Sequence, residues 1–149
     1  CGTGASHVLD IEGAMTKSDF FGKAAEAMAD TLGLAPGKIE RLLEEREQQG
    51  STVLSADFAL PHVVIEGEHH FEILLVRCSE GIHFSAESAS VHCAFVLMGT
   101  VDERNFHLNV LANIAQIVRG ADFDKKWMAA RGEQGLRDVV LLGERRRDA

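Results

Sequence analysis

The 149-residue chain has no tyrosine, one tryptophan, two prolines and three cysteines, and its 15 basic residues are outnumbered by 23 acidic ones, for a formal net charge of −8. Each shortage excludes something. An acidic balance lacks the basic face that nucleic-acid binding needs, although one local basic patch stays allowed. Cys1, Cys78 and Cys93 are too few for a disulfide framework. Cys78 and Cys93 sit in apolar, strand-like runs, which predicts reduced thiols and a cytosolic setting. No apolar run approaches the ~20 residues of a membrane span. Residues 1–13 lack the basic start and apolar stretch of a signal peptide. The chain opens on Cys1 rather than Met, which predicts a domain excised from a longer protein.

What remains is ordinary for a globular protein: 46% hydrophobic and 26% charged residues. A single domain of this length buries roughly 68–70% of its unfolded surface, enough for a core without disulfide or metal staples. Histidine is the one oddity, with seven: His7, His62, His69, His70, His83, His92 and His107.

Periodicity divides the chain into elements. Residues 1–14 are Gly-rich and read as an irregular N-terminal segment, 15–143 as the domain proper, and 144–149 as a charged tail. Thr16-Lys-Ser-Asp19 resembles a capping box and predicts a helix from Lys17, with Phe20, Phe21, Ala24, Ala25, Met28 and Leu32 on one face and Gly33 at its end. Pro36 suits the first position of a second helix, which carries Ile39, Leu42 and Leu43 and stops before Gly50. From Ser51 the period changes. Val63–Ile65 is a short β-branched run, and Phe71–Arg77 and Val91–Met98 read as strands apolar enough to be buried on both faces. Thr100-Val-Asp-Glu103 offers another capping box, opening a helix to Arg119. Phe123–Arg131 and Gln134–Leu142 read as two shorter helices. The expected fold class is therefore α/β: a single layered domain with a small mixed β-sheet flanked by helices. Arg145-Arg146-Arg147 in the tail reads as a solvated end ahead of a contact to anionic lipid.

Several sites of chemistry can be dismissed. Gly22-Lys23 and Gly37-Lys38 lack the earlier glycine of a phosphate-binding P-loop, because Lys17 and Leu32 stand there. No Gly-x-Ser-x-Gly, Cys-x-x-Cys or His-Glu-x-x-His is present. His83, His92 and Cys93 would meet around a metal only by accident of folding, and a metal-dependent hydrolase has little behind it. His7 and the His69-His70 pair, beside Gly or Glu, read as exposed.

Leu60-Pro61-His62 is different. Pro61 fixes its own backbone and drives Leu60 toward an extended shape, so His62 enters a strand from a stiff corner. A histidine so held can bond a carbonyl through one ring nitrogen and offer the other as a nucleophile. Taken alone, a structural histidine is the commoner case. His107, with Arg104 and Asn105, lies near a helix start, where main-chain N–H groups and the helix dipole favour an anion. Arg46 belongs to the charge run Glu44-Glu45-Arg46-Glu47, ordinarily a solvated helix end. Ser51 and Thr52 at the following turn either donate hydroxyls to a phosphate or merely end the helix.

Taken in order, these segments resemble enzyme IIA of the mannitol/fructose type, from the bacterial sugar phosphotransferase system. Arg46-Glu47 leads to Gly50-Ser51-Thr52, then Ala59-Leu60-Pro61-His62, then two strands, then a helix with Phe106-His107-Leu108. His62 lies 16 residues after Arg46, and His107 lies 45 after His62. The resemblance spans about Thr16 to Leu142. It implies phosphorylation of His62 by a phosphohistidine carrier protein, with transfer onward to an enzyme IIB partner or a transporter domain. It implies His107 and Arg46 as the groups around the phosphoryl oxygens, with Ser51, Thr52 and Asn105 nearby, and it requires neither metal nor nucleotide. Two departures bear on rate. Val63 stands after the histidine where the family usually has Gly, narrowing access for a partner. Asp57 stands in the preceding turn, where an inward carboxylate repels a phosphoryl group. These departures favour a regulatory carrier, in the cytoplasm or on the cytosolic side of a transporter, with a non-catalytic binding module of the same fold as the alternative.

Overall fold

Two long strands form the spine of the sheet in the computed structural model, which describes residues 6–55, 58–84, 90–120 and 122–148. The elements are β1 (Ser6–Ile11), β2 (Met15–Thr16), α1 (Lys17–Leu32), α2 (Pro36–Gln49), β3 (Val53–Ser55), β4 (Phe58–Ala59), β5 (His62–Ile65), β6 (Phe71–His83), β7 (Val91–Thr100), α3 (Arg104–Arg119), α4 (Phe123–Ala129) and α5 (Gly132–Asp148). The central pair, β6 and β7, is antiparallel. β1 and β2 run parallel to β6. β4 and β5 run parallel to β7, and β3 closes the far side antiparallel to β4. The sheet is therefore mixed, in the order β1-β6-β7-β4-β3, with helices on both faces.

The period of two along the spine sorts its side chains into two cores. Leu74, Val76 and Cys78 of β6, with Ala94, Val96 and Met98 of β7, face α1 and α2 and pack on Phe20, Phe21, Met28, Ile39 and Leu43. Leu75, Cys93, Phe95 and Leu97 face the other way, onto Ile114 and Ile117 of α3, Phe123 and Trp127 of α4 and Leu136 of α5. Trp127 is wholly enclosed, stacked on Phe123 and edge-on to Phe95. Burial of each such large side chain contributes about 1.5–3 kcal/mol. This double coverage is what the near-continuous apolar runs demanded.

The helix signals act as read for α1 and α2. The Thr16 hydroxyl accepts from the Asp19 N–H at 3.1 Å, and Gly33 takes the left-handed conformation that ends α1. Pro36 is at the start of α2 and Gly50 follows its end.

Four features differ from the expectation. Ser6–Ile11, inside the segment read as irregular, is the strand β1. Glycines on both sides disguise it, but its carboxylate Asp10 pairs in bidentate fashion with Arg77 of β6, at 2.8 and 2.6 Å. The same guanidinium donates to the carbonyls of Trp127 and Ala130, so one buried arginine joins β1, β6 and the end of α4. Second, Thr100 caps nothing with its side chain. Val101–Glu103 forms a tight 3-10 turn and α3 starts at Arg104. Third, α5 runs from Gly132 to Asp148, beyond the expected stop at Leu142 and into the segment read as a tail. Fourth, His7 is half-buried, with Nε2 3.3 Å from the Thr31 hydroxyl.

Candidate functional site

β4 and β5 lie along β7 in one register on either side of Leu60-Pro61. Proline has no N–H for the ladder, so pairing is interrupted there. The Leu60 N–H is taken by the Thr52 carbonyl at 2.9 Å, and the Pro61 carbonyl accepts from Leu97 at 2.9 Å. The Leu60 carbonyl accepts from His62 Nδ1 at 2.8 Å. A carbonyl oxygen can only accept, so in the neutral ring Nδ1 carries the proton and Nε2 keeps its lone pair. The stiff corner read from Leu60-Pro61-His62 thus orients the ring and selects its tautomer.

His107 arrives from the opposite side. The α3 face bearing Ile114 and Ile117 enters the core, and His107 sits at the start of that face, 5% exposed. Its ring stands edge-on to His62, centroids 6.1 Å apart, and edge-on to Phe71 at 5.5 Å. Gly99 makes the approach possible: a Cβ there would stand 2.9 Å from Phe71 Cδ2 and 3.3 Å from His107 Nδ1. Burial, and secondarily the neighbouring His62, push the His107 pKa below its ordinary 6.5, so the ring is neutral at pH 7.

A cavity of about 290 Å³ opens between these rings, lined by His62, Val64, Thr100, Val101, Arg104, His107, Leu108 and Leu111. The four α3 residues fall at i, i+3, i+4 and i+7, one helix face. Val64, Val101 and Leu108 are largely exposed and form an apolar rim. The arrangement offers one unprotonated nucleophilic nitrogen, one neutral imidazole and one guanidinium around a space that admits a phosphoryl-sized anion.

Of the expected site residues, His62 and His107 come together. Arg46 does not line the cavity. It is in the last turn of α2, where Nη1 donates to the Gly50 carbonyl at 3.0 Å. Thr52 is buried, and its hydroxyl donates to Glu47 Oε1 at 2.5 Å while its N–H donates to Glu47 Oε2 at 3.0 Å. That hydroxyl is committed to holding the α2–β3 turn under Leu60. Ser51 Oγ accepts from the Val53 N–H, and Asn105 is exposed outside the cavity lining. Val63 faces the core and leaves the cavity mouth open; exposed Val64 is the residue at the rim. Asp57 lies outside the described residues.

Two features go beyond the sequence reading. Arg104, named there only as a neighbour of His107, lines the cavity, and its distance of three residues from His107 on a helix was the signal available. Thr100 accepts from the His70 N–H and donates to Asp102, whose carboxylate also takes the His69 N–H at 2.9 Å. The Thr100 and His69 hydrogen bonds hold the Asp102 pKa below its ordinary value. His69, Asp102 and Glu103 bring one potential metal-ligand atom each within 4.8 Å of one another at the surface.

A mixed sheet covered on both faces carries an oriented histidine that faces a second histidine at a strand end. The description "Phosphoenolpyruvate-dependent sugar phosphotransferase system, EIIA 2" matches residues 6–141, and the chain belongs to this enzyme IIA family. It is 27% identical over 128 residues to a nitrogen regulatory protein of Bradyrhizobium diazoefficiens, covering 85% of this chain and 84% of that one. It superposes on the nitrogen regulatory protein IIA-Ntr of Neisseria meningitidis with a TM-score of 0.79 at 23% identity, covering 91% and 92% of the two chains. It also superposes on the mannitol enzyme IIA of Escherichia coli, solved in complex with phosphorylated mannitol enzyme IIB, with a TM-score of 0.73 at 14% identity and 94% and 97% coverage. Among the described residues no helix is long and apolar enough to cross a membrane.

Proposed function

We propose that Nε2 of His62 accepts a phosphoryl group from a phosphohistidine carrier protein and that the loaded domain serves regulation, passing the group to an enzyme IIB-type partner or acting on a transporter. The observation that carries this reading is the hydrogen bond from His62 Nδ1 to the Leu60 carbonyl. It leaves Nε2 unprotonated and fixed beside the cavity, ready for in-line attack on phosphorus. The protein need supply only position and charge stabilisation for such a transfer. The apolar rim of Val64, Val101 and Leu108 suits a protein surface docking over the cavity. The nitrogen regulatory relatives support regulation over sugar uptake. Phosphoryl carriage of this kind belongs in the cytoplasm, and we place the domain there, alone or on the cytosolic side of a transporter.

The test is incubation with phosphoenolpyruvate, enzyme I and a phosphohistidine carrier protein. The expected product is an acid-labile gain of one phosphoryl group, absent in His62→Ala, with phosphorus NMR placing it on Nε2. Absence of labelling with several cognate carriers would overturn the carrier reading in favour of a binding module, and labelling on Nδ1 would overturn the assigned tautomer.

A further inference from the structure

We propose that Arg104 is the residue that grips the phosphoryl oxygens on His62, in the place that family resemblance assigns to Arg46. The inference rests on His62 as acceptor and adds the identity of the cation. Arg104 lines the same cavity as His62 and His107, and Arg46 does not. Arg104 is the first residue of α3, one helical turn before His107, so both point to one face. Among the described residues its guanidinium has neither a hydrogen-bond partner nor an ion-pair partner, whereas Arg46 holds the Gly50 carbonyl through Nη1 and lies outside the cavity lining. An exposed, unpaired guanidinium beside a nucleophile keeps all five donors for an incoming anion.

The surrounding charges agree. Asp102 and Glu103 precede Arg104, but neither lines the cavity, and both carboxylates turn toward His69, at 3.1 and 3.9 Å from its Nδ1. Burial lowers the His107 pKa, and Arg104 brings a permanent positive charge to the lining. The phosphoryl group brings about two negative charges. In the transfer the Nε2 lone pair forms the new N–P bond while the donor's P–N bond breaks and its electron pair returns to the donor nitrogen. The proton stays on His62 Nδ1 throughout, donated to the Leu60 carbonyl. Two parallel guanidinium N–H bonds to equatorial oxygens, with one from the neutral His107, hold the group in line.

Inorganic phosphate titrated into the intact domain, followed by the ring resonances of His62 and His107, tests this without requiring phosphoryl transfer. The expected result is that Arg104→Ala weakens phosphate binding about tenfold or more, Arg104→Lys restores part of the loss, and Arg119→Ala, at the far end of α3, leaves it unchanged. In the transfer assay Arg104→Ala slows labelling of His62 and shortens the lifetime of the phosphorylated form. Phosphate binding that survives Arg104→Ala but is lost in Arg46→Ala overturns the inference, and so does a wild-type domain that binds no phosphate. Normal phosphate binding that depends on Arg104, in a domain that no carrier labels, refutes the carrier function and leaves the Arg104 site standing.

Discussion

Replacing Gly99 by alanine places one methyl group where the site has no room. The added Cβ stands 2.9 Å from Phe71 Cδ2, 3.3 Å from His107 Nδ1 and 3.4 Å from the His70 carbonyl oxygen. Gly99 pairs with Phe71 of β6 on one side and Val64 of β5 on the other, so the strand cannot shift alone. The Phe71 ring is itself held edge-on against Phe106, centroids 4.8 Å apart, and against His107. Overpacking of this kind costs about 1–3 kcal/mol. The loss of glycine freedom in the unfolded chain offsets about 0.4–1 kcal/mol of that. A net destabilisation of about 1–2 kcal/mol remains, or about 2–8 °C in Tm for a domain of this size. Circular-dichroism melting reads the stability, and the His107 ring resonances with the labelling rate of His62 read the site. Phe71→Leu in the same chain should recover part of the loss, with a coupling of about 0.5 kcal/mol or more. A Gly99→Ala protein that melts with the parent and keeps its His107 resonances would refute the claim that this glycine admits the second histidine to the site.

Two further predictions concern pH. His107 has a folded pKa below 6.5, so on acidification the unfolded chain takes up this proton first, and stability falls from about pH 6.5 downward until the folded group also titrates. Urea unfolding at pH 7.5 and 5 should show a larger loss for the parent than for His107→Gln; equal losses would refute it. Glu72 has the opposite sign. Its side chain is buried beside His7, 3.8 Å away, with Oε2 lacking a hydrogen bond, and desolvation raises its pKa above 4.5. Its contribution to stability is present below pH 4.5 and lost as pH rises through the folded value. Glu72→Gln should therefore stabilise the domain at pH 7 by up to about 1 kcal/mol and change little at pH 4, and destabilisation at pH 7 would show that the pair with His7 outweighs the buried charge.

The elements that could be read from the sequence were those specified locally. α1 and α2 carry their own caps and apolar stripes, and β6 and β7 announce two-sided burial through unbroken apolar runs. β2, β3 and β4 have two or three residues each, and only their partners make them strands. β1 hid because its pattern is short and its anchor, Arg77 on Asp10, spans 67 residues. The site was legible as far as Pro61 stiffens the chain before His62 and His107 opens a helix face. Spacing along the chain does not reveal that the Arg46 side chain bonds the carbonyl at its own helix end and lies outside the cavity lining. Arg104 was within reach of a periodicity argument, but a cation near a helix start reads as solvated until the cavity beside it is known.

The interruption at Leu60-Pro61 leaves the strand in phase. Phe58 pairs with Cys93 and His62 with Leu97, an offset of 35 on both sides of the break. The gap therefore has a fixed length, because side chains alternate between faces. One residue added or removed there would turn Val63 and Ile65 out to solvent, pull Val64 inward and rotate the histidine away from its cavity. Such a segment can vary through the identity of its residues, as with Val64 at the rim, but it resists insertions and deletions. Within this sheet the nucleophile is tied to a count of residues, and the packing of α1 and α2 on the far side guards that count.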